Sequence, residues 1–132
     1  MEKNYFFNIF KFDDLICNEH NDNSNESKNI DVKNQEIFQT IASGDGQFKI
    51  ERIVSTGQIT PEDEVYDQNV DELVFLVQGE PKLMFVESNT EVCLKKGDSV
   101  FIKAHCKHRV TFTSKEPPCV WIAIHGMMNF KL

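Results

Sequence analysis

Three polar side chains precede the apolar run LVFLV at even-numbered positions, and these side chains could do chemistry. Tyr66, Gln68 and Glu72 lead into this run, and residues two apart in a strand point to the same face. They are therefore predicted to line a pocket. Histidine titrates near neutral pH, so His108 is a candidate general acid/base. Glu72 would position it, and Tyr66 would donate a proton or stabilise an oxyanion.

The elements that must position these side chains are short strands. Seven segments rich in β-branched and aromatic residues follow residue 46, separated by turn residues. They are QFKIERIVS, ELVFLVQ, PKLMFVE, EVCLKK, SVFIKA, HRVTFTS and CVWIAIH. Closely spaced strands without helices between them are typical of an antiparallel sandwich or barrel. The fold is predicted to be all-β, with a barrel over residues 47–132.

The first 46 residues are predicted to form an N-terminal arm. Its stretch CNEHNDNSNESKN, residues 17–29, has almost no apolar content, and a segment that cannot bury apolar surface stays mobile. The positions of Ile37, Phe38 and Ile41 then fit one face of a helix. Asn34 can cap its start and Gly44 its end. A short helix is therefore predicted over residues 34–43.

Two stretches together resemble the motifs of the cupin superfamily of small β-barrels. Glu72 and Gly79 in ELVFLVQG fit the end of the first motif, His-x-His, three or four residues, Glu, six residues, Gly. Gly97 and His108 fit the second motif, Gly, five residues, Pro-x-Gly, two residues, His, three residues, Asn. A branch of small single-domain cupins has Tyr-x-Gln in place of His-x-His. The resemblance implies an antiparallel jelly-roll barrel with Tyr66 facing His108.

The chain departs from these motifs at the positions that usually bind metal. Tyr66 and Gln68 replace the two histidines of the first motif, and Lys103, His105 and Phe112 replace the proline, glycine and asparagine of the second. Imidazole is a strong ligand for Fe(II), Ni(II) and Zn(II), whereas an amide oxygen is weak and a phenol must lose its proton. If a divalent metal (Mn, Fe, Ni or Zn) binds, its ligands are predicted to be Glu72, His108 and Gln68, with Glu64 as a further oxygen.

The favoured hypothesis is a pocket that binds a small metabolite through hydrogen bonds. Its predicted lining is Tyr66, Gln68, Glu72, His108, Phe112 and Trp121. The alternatives are an acid/base enzyme that uses His108, Glu72 and Tyr66, and a metal-dependent enzyme with a degenerate ligand set. His125 is interpreted as a satisfied rim or core residue. A zinc site made from His105, Cys106 and His108 is disfavoured, because structural zinc normally has two separated ligand pairs.

Composition limits the remaining partners. The formal net charge of −7 argues against nucleic-acid binding, because phosphates need a basic surface. No apolar run is long enough for a transmembrane helix, and no signal peptide is recognisable. The four cysteines form no CxxC pair, which favours reduced thiols and a cytoplasmic location. Leu73, Phe75 and Val77 are predicted on the outer face of their strand, where a homodimer would bury them.

Overall fold

The computed structural model describes residues 7–11 and 35–132 of the chain. Residues 7–11 contain a turn, in which the Asn8 side-chain oxygen accepts a 2.8 Å hydrogen bond from the backbone amide of Phe10. The loop predicted over residues 17–29 lies outside the described residues. Neither described range contains a helix that is long and apolar enough to cross a membrane.

Residues 35–132 contain eight strands. They are β1 (Ile37–Ser43), β2 (Lys49–Ser55), β3 (Asp71–Gln78), β4 (Lys82–Phe85), β5 (Thr90–Cys93), β6 (Ser99–Ile102), β7 (His108–Phe112) and β8 (Cys119–Gly126). Strands β2 to β8 lie in the seven predicted segments, with β3, β5 and β8 each extending one residue beyond. The β-branched and aromatic side chains of these segments suit a pleated, half-buried surface. All strand pairs are antiparallel. The prediction of an all-β fold with antiparallel sheets is confirmed.

The strands form two sheets. One has the order β1-β2-β8-β3-β6 and the other the order β5-β4-β7. The chain passes from one sheet to the other after β3, after β5 and on both sides of β7. An isolated antiparallel bridge joins Tyr66 to His108 in β7. Because β7 pairs with β4 along one edge, this bridge places Tyr66 along its other edge.

One hydrophobic core lies between the sheets. Its buried members are Val74, Leu76, Leu83, Leu94, Ile102, Cys119, Trp121 and Ala123. In β3, Val74 and Leu76 are buried whereas Phe75 is 40% exposed, because alternate residues of a strand point to opposite faces. Leu73 and Phe75 therefore point away from the core, as the alternation predicted, whereas an irregularity between Leu76 and Gln78 interrupts the alternation at Val77.

The predicted helix over residues 34–43 is wrong, because the structure has strand β1 over Ile37–Ser43. Residues four apart, such as Ile37 and Ile41, share a face in a helix and also in a regular strand, so their spacing fits both. Pairing with β2 decides for the strand, since it satisfies the backbone of this segment. Gly44 does not cap a helix. Its amide donates a 3.0 Å hydrogen bond to Phe48 O in the turn that leads into β2.

Candidate ligand-binding site

Strand β3 positions the central carboxylate. Glu72 is the second residue of β3, and its neighbours across the sheet are Ile102 in β6 and His125 in β8. The same alternation that buries Val74 turns Glu72 into the space between the two sheets, where it is only 7% exposed. A carboxylate near the start of an apolar strand thus points into the space between the sheets.

Main-chain and ring contacts fix Tyr66 beside His108. The backbone amide of Tyr66 donates to His108 O at 2.8 Å, and the amide of His108 donates back to Tyr66 O at 3.1 Å. The two rings stack, with centroids 5.4 Å apart and planes 22° from parallel. The first-motif tyrosine and the second-motif histidine therefore form one rigid unit.

A backbone carbonyl sets the tautomer of His108. Nδ1 of His108 lies 2.8 Å from Cys106 O, and because a carbonyl oxygen only accepts, Nδ1 must carry a proton. When the ring is neutral, Nε2 is then the nitrogen with the free lone pair. The imidazole, which is 4% exposed, is thus prepared to accept a hydrogen bond or a proton at Nε2.

These side chains border one cavity of about 80 Å³. Its lining is Glu36, Phe38, Glu51, Ile53, Ser55, Tyr66, Gln68, Glu72, Val74, Leu83, Ile102, His108, Val110, Trp121 and His125. Five of the six residues predicted to line a pocket are therefore brought together, Phe112 being the exception. One water needs roughly 10–15 Å³, so the enclosed part holds only a few waters or a ligand of similar size.

Phe112 lies outside the cavity because β7 contains a bulge. Leu83 of β4 pairs with Val110, but the preceding residue, Lys82, pairs with Phe112, so that Thr111 is an extra residue without a partner in β4. A bulge shifts the alternation of side chains by one position. Phe112 consequently shares the outer side with Lys82, whose Nζ lies 5.8 Å from the centre of the phenyl ring, and it is 46% exposed.

The cavity also contains a pair that sequence reasoning missed. Glu51 and His125 are 8% and 6% exposed, and Oε1 of Glu51 lies 3.5 Å from Nε2 of His125. His125 was interpreted as a satisfied rim or core residue, but its Nε2 has no hydrogen-bond partner. Strand alternation was the available signal, because His125 has the same parity in β8 as Trp121, which was assigned to the pocket.

The electrostatic environments of the two buried carboxylates differ. Burial raises the pKa of the Glu72 carboxyl, although interactions with His125, His108 and the Gln68 amide oppose the rise. The contact with His125 lowers the pKa of Glu51, although its burial opposes this. Glu51 is thereby favoured as the charged carboxylate and Glu72 is the one that most readily takes up a proton.

The phenol of Tyr66 is a hydrogen-bond donor in this environment. Burial raises its pKa, and the negative charges of Glu36 and Glu72 raise it further. At neutral pH the phenol therefore keeps its proton. It does not have the phenolate form that metal coordination normally requires.

Several buried polar atoms of the cavity have no partner within the described part of the chain. They are Oε2 of Glu72, Oε1 of Gln68 and Nε2 of His125. Buried polar groups in folded proteins are nearly always hydrogen-bonded to protein or water. Three unpaired atoms bordering one cavity indicate that the cavity is built to receive something polar.

The other sequence candidates do not join the cavity. The His105 side chain is 70% exposed and its Nδ1 lies 3.0 Å from Oδ1 of Asp67, so it is not placed for a zinc site with His108. Cys106 is partly buried against the core. Glu64 is exposed and borders a separate surface depression beside Tyr66. His105 has a φ of 64°, which explains why the cupin motif usually has glycine there.

The donor set does not fit the metal site of the full cupin motif. Within residues 7–11 and 35–132, no three His, Cys, Asp or Glu side chains are placed to hold one ion. Glu72 and His108 remain from the motif, whereas position 66 offers a protonated phenol and position 68 a weakly binding amide.

Comparison with known proteins identifies the family. Residues 50–125 match the family model described as a cupin domain, which is more than half of the chain. The chain is a cupin. The predicted membership of the cupin superfamily is therefore confirmed. Position 79 requires glycine, because a Cβ there would lie 2.7 Å from both Cα and Sγ of Cys119.

Two solved structures of bacterial proteins resemble this cupin in fold. A protein of Ralstonia eutropha JMP134, provisionally named a mannose-6-phosphate isomerase, is 37% identical with a TM-score of 0.68, over 72% of this cupin and 87% of that chain. A cupin superfamily protein of Desulfitobacterium hafniense DCB-2 is 20% identical with a TM-score of 0.59, over 72% of this cupin and 80% of that chain.

A third similar structure is a hydroxypropylphosphonic acid epoxidase from S. wedmorenis in complex with fosfomycin. It is 17% identical with a TM-score of 0.54, over 68% of this cupin and 50% of that chain. At this identity, as for the Desulfitobacterium protein, the likeness concerns the fold alone. No curated protein matches the cupin. Its activity must therefore be inferred from its own cavity.

Proposed function

We propose that this cupin binds a small metabolite in the cavity around Glu72 and His108, directly through protein side chains. The observation that carries the proposal is the set of unpaired buried atoms, above all Oε2 of Glu72. A buried polar group without a partner costs about 1–3 kcal/mol. A ligand that supplies the missing hydrogen bonds recovers that cost, so the cavity favours an occupied state.

A screen of polar metabolites against the purified protein tests this proposal. Ligand-observed NMR detects weak binders, and the expected result is a set of hits that lose at least about tenfold in affinity in His108→Ala. His105→Ala is the matched control, since His105 is three residues away and its side chain is 70% exposed. Hits that bind both variants equally well, or no hits at all, would contradict binding in this cavity.

A second candidate function is acid/base catalysis on the bound metabolite. It is supported by the hydrogen bond from His108 Nδ1 to Cys106 O, which leaves Nε2 to take a proton from the ligand. Tyr66, with its proton retained, would donate a hydrogen bond to the oxygen on which negative charge develops. Incubation of the hits in D₂O tests this, because abstraction and return of a proton at carbon exchanges hydrogen for deuterium. Catalysis requires exchange that is lost in His108→Ala.

Metal dependence is tested separately from ligand binding. Calorimetric titration with Mn(II), Fe(II), Ni(II) and Zn(II) is expected to give no micromolar binding, because Glu72 and His108 alone leave most coordination positions to water. Micromolar or tighter binding that disappears in both Glu72→Gln and His108→Ala would overturn the proposal of direct binding by side chains.

Homodimer formation and a cytoplasmic location are further parts of the proposal. The dimer is supported by the outer face of β3, where Phe75 remains 40% exposed between two other apolar side chains. Sedimentation at micromolar concentration tests it. A monomer would contradict the dimer without affecting the cavity.

A further inference from the structure

The cavity is acidic. Three glutamates line it, namely Glu36, Glu51 and Glu72, and none of the described lining residues is a lysine or arginine. Lys49 borders an adjoining depression that shares Gln68 and His125 with the cavity, and its Nζ contacts Oε2 of Glu51 at 3.4 Å. Glu51 is therefore partly neutralised, whereas the described lining around Glu36 and Glu72 provides no lysine or arginine.

The unpaired atoms of the cavity include two that can only accept from a ligand. Oε2 of Glu72 is an acceptor when the carboxyl is ionised, and Oε1 of Gln68 is an acceptor always. Both are buried without a hydrogen-bond partner among the described residues. A matching ligand must bring N–H or O–H donors to this side of the cavity.

Aromatic rings form other parts of the wall. Trp121, Tyr66 and Phe38 all line the cavity. The face of an aromatic ring attracts a cation, and the cavity volume of about 80 Å³ favours a ligand with few non-hydrogen atoms. Carboxylates and aromatic faces together are the usual surroundings of a small organic cation.

We propose that the cavity selects a small cationic amine, whose ammonium group donates hydrogen bonds to Glu72 and Gln68 while its carbon atoms contact the aromatic wall. This inference rests on the small-molecule-binding function proposed above and specifies its ligand class. A neutral diol would supply donors but leave the carboxylate charges uncompensated. A phosphorylated ligand would bring negative charge towards three glutamates without an arginine or lysine to receive it.

The test uses four probes of similar size that differ in charge. Ethanolamine, ethylene glycol, glycolate and inorganic phosphate are titrated separately into the full-length protein with EDTA present, and chemical shifts are followed by NMR. The pH is kept at 8 in all four titrations. Ethanolamine is expected to bind at least about tenfold more tightly than each of the other three probes, because hydrogen bonds to charged groups are the stronger ones.

Two variants and one control locate the effect. Glu72→Gln preserves the shape of the side chain and is expected to weaken ethanolamine binding at least about tenfold. Glu36→Gln removes a second carboxylate from the lining. It should weaken ethanolamine binding less, because Oε1 of Glu36 already accepts a hydrogen bond from Ser55, and it is the second variant if Glu72→Gln does not fold. Glu87→Gln, an exposed glutamate outside the cavity lining, should have no effect.

The outcomes separate this inference from the function on which it rests. Equal binding of the diol, preferred binding of glycolate or phosphate, or no binding of ethanolamine overturns the amine class. The metabolite screen decides independently whether the cavity binds a ligand. If its His108-dependent hits are neutral or anionic, the function holds and the amine class fails. If it yields no such hits, both fail.

Discussion

Replacing Glu72 by glutamine is expected to stabilise the folded protein at pH 8. Glu72 is 7% exposed and its Oε2 has no partner among the described residues, so the ionised carboxylate is short of hydrogen bonds. Leaving such a group buried costs about 1–3 kcal/mol. Glutamine keeps the shape and removes the charge but leaves a polar amide in the same place, so the free energy of unfolding should rise by part of that amount.

The size of this gain should depend on pH. Burial raises the pKa of the Glu72 carboxyl in the folded protein, whereas the unfolded chain titrates near about 4.3. The folded state therefore holds this proton more tightly. The resulting stabilisation is fully present below about pH 4.3 and is lost as the pH rises through the folded-state pKa. Wild type and Glu72→Gln should differ least near the acid end and most at pH 8.

Urea unfolding measures the difference directly. Trp121 is the single tryptophan of the chain and is buried, so its fluorescence reports loss of the core. A higher midpoint with an unchanged slope identifies a change in stability. The control Glu87→Gln should change the free energy of unfolding by less than about 0.5 kcal/mol. A Glu72→Gln protein less stable than wild type at pH 8 would refute the reasoning, because ionised Glu72 would then be favourably paired.

Two other predictions concern the frame of the site. Gly79→Ala should destabilise the fold by about 2–5 kcal/mol in thermal unfolding, combining a positive-φ strain of about 1–2 kcal/mol with overpacking of about 1–3 kcal/mol against Cys119. Gly97 has a φ of 92° and no atom within 4 Å of an added Cβ, so Gly97→Ala should lose only the stability that the backbone strain costs. Equal losses of stability in the two variants would contradict overpacking against Cys119.

Asp71→Ala should release the C-terminal tail. The Asp71 carboxylate accepts hydrogen bonds from the backbone amides of Ala104 at 2.8 Å and Met128 at 3.1 Å, so hydrogen exchange at the Met128 amide should accelerate in this variant. These hydrogen bonds lower the pKa of Asp71, so wild type should show the same release as the pH falls through that lowered pKa. Intrinsic amide exchange slows as the pH falls, so the quantity compared is the protection factor of Met128, and an unchanged protection factor in both cases would contradict the anchoring.

Most strands of the fold could be predicted because each one has a recognisable residue pattern within its own segment of the sequence. Segments such as ELVFLVQ and CVWIAIH combine β-branched side chains with turn residues at both ends, and no helix competes for them. Strand alternation accounts for Glu72 but not for Tyr66 and Gln68, because β3 begins at Asp71. Tyr66 is instead positioned by its isolated bridge to His108. The meeting of these three side chains with His108 was implied by the family resemblance, and the structure places all four side chains around one cavity.

The errors arose where distant pairing or an irregularity decides the outcome. Strand β1 has a spacing that fits a helix equally well, and only β2, which follows it in the chain, selects the strand. Phe112 was assigned to the pocket on unbroken alternation, but the bulge at Thr111 reverses its direction. Glu51 and His125 were missed because their contact joins β2 to the last strand.

The replacement of the two motif histidines has a coherent physical consequence. Tyr66 stacks on His108 and keeps its proton, and the backbone oxygen of Gln68 accepts a 2.7 Å hydrogen bond from the amide of His105, so both residues still shape the cavity without acting as strong ligands. Glu72 is thereby left with an unpaired oxygen. Because a ligand that pairs this oxygen binds only the folded state, its binding must raise the free energy of unfolding with the logarithm of one plus the ratio of ligand concentration to Kd. The Glu72 carboxylate therefore has opposite effects on ligand affinity and on the stability of the ligand-free protein. Glu72→Gln should stabilise the ligand-free protein, and the same substitution should weaken ligand binding because it removes the charged hydrogen-bond acceptor.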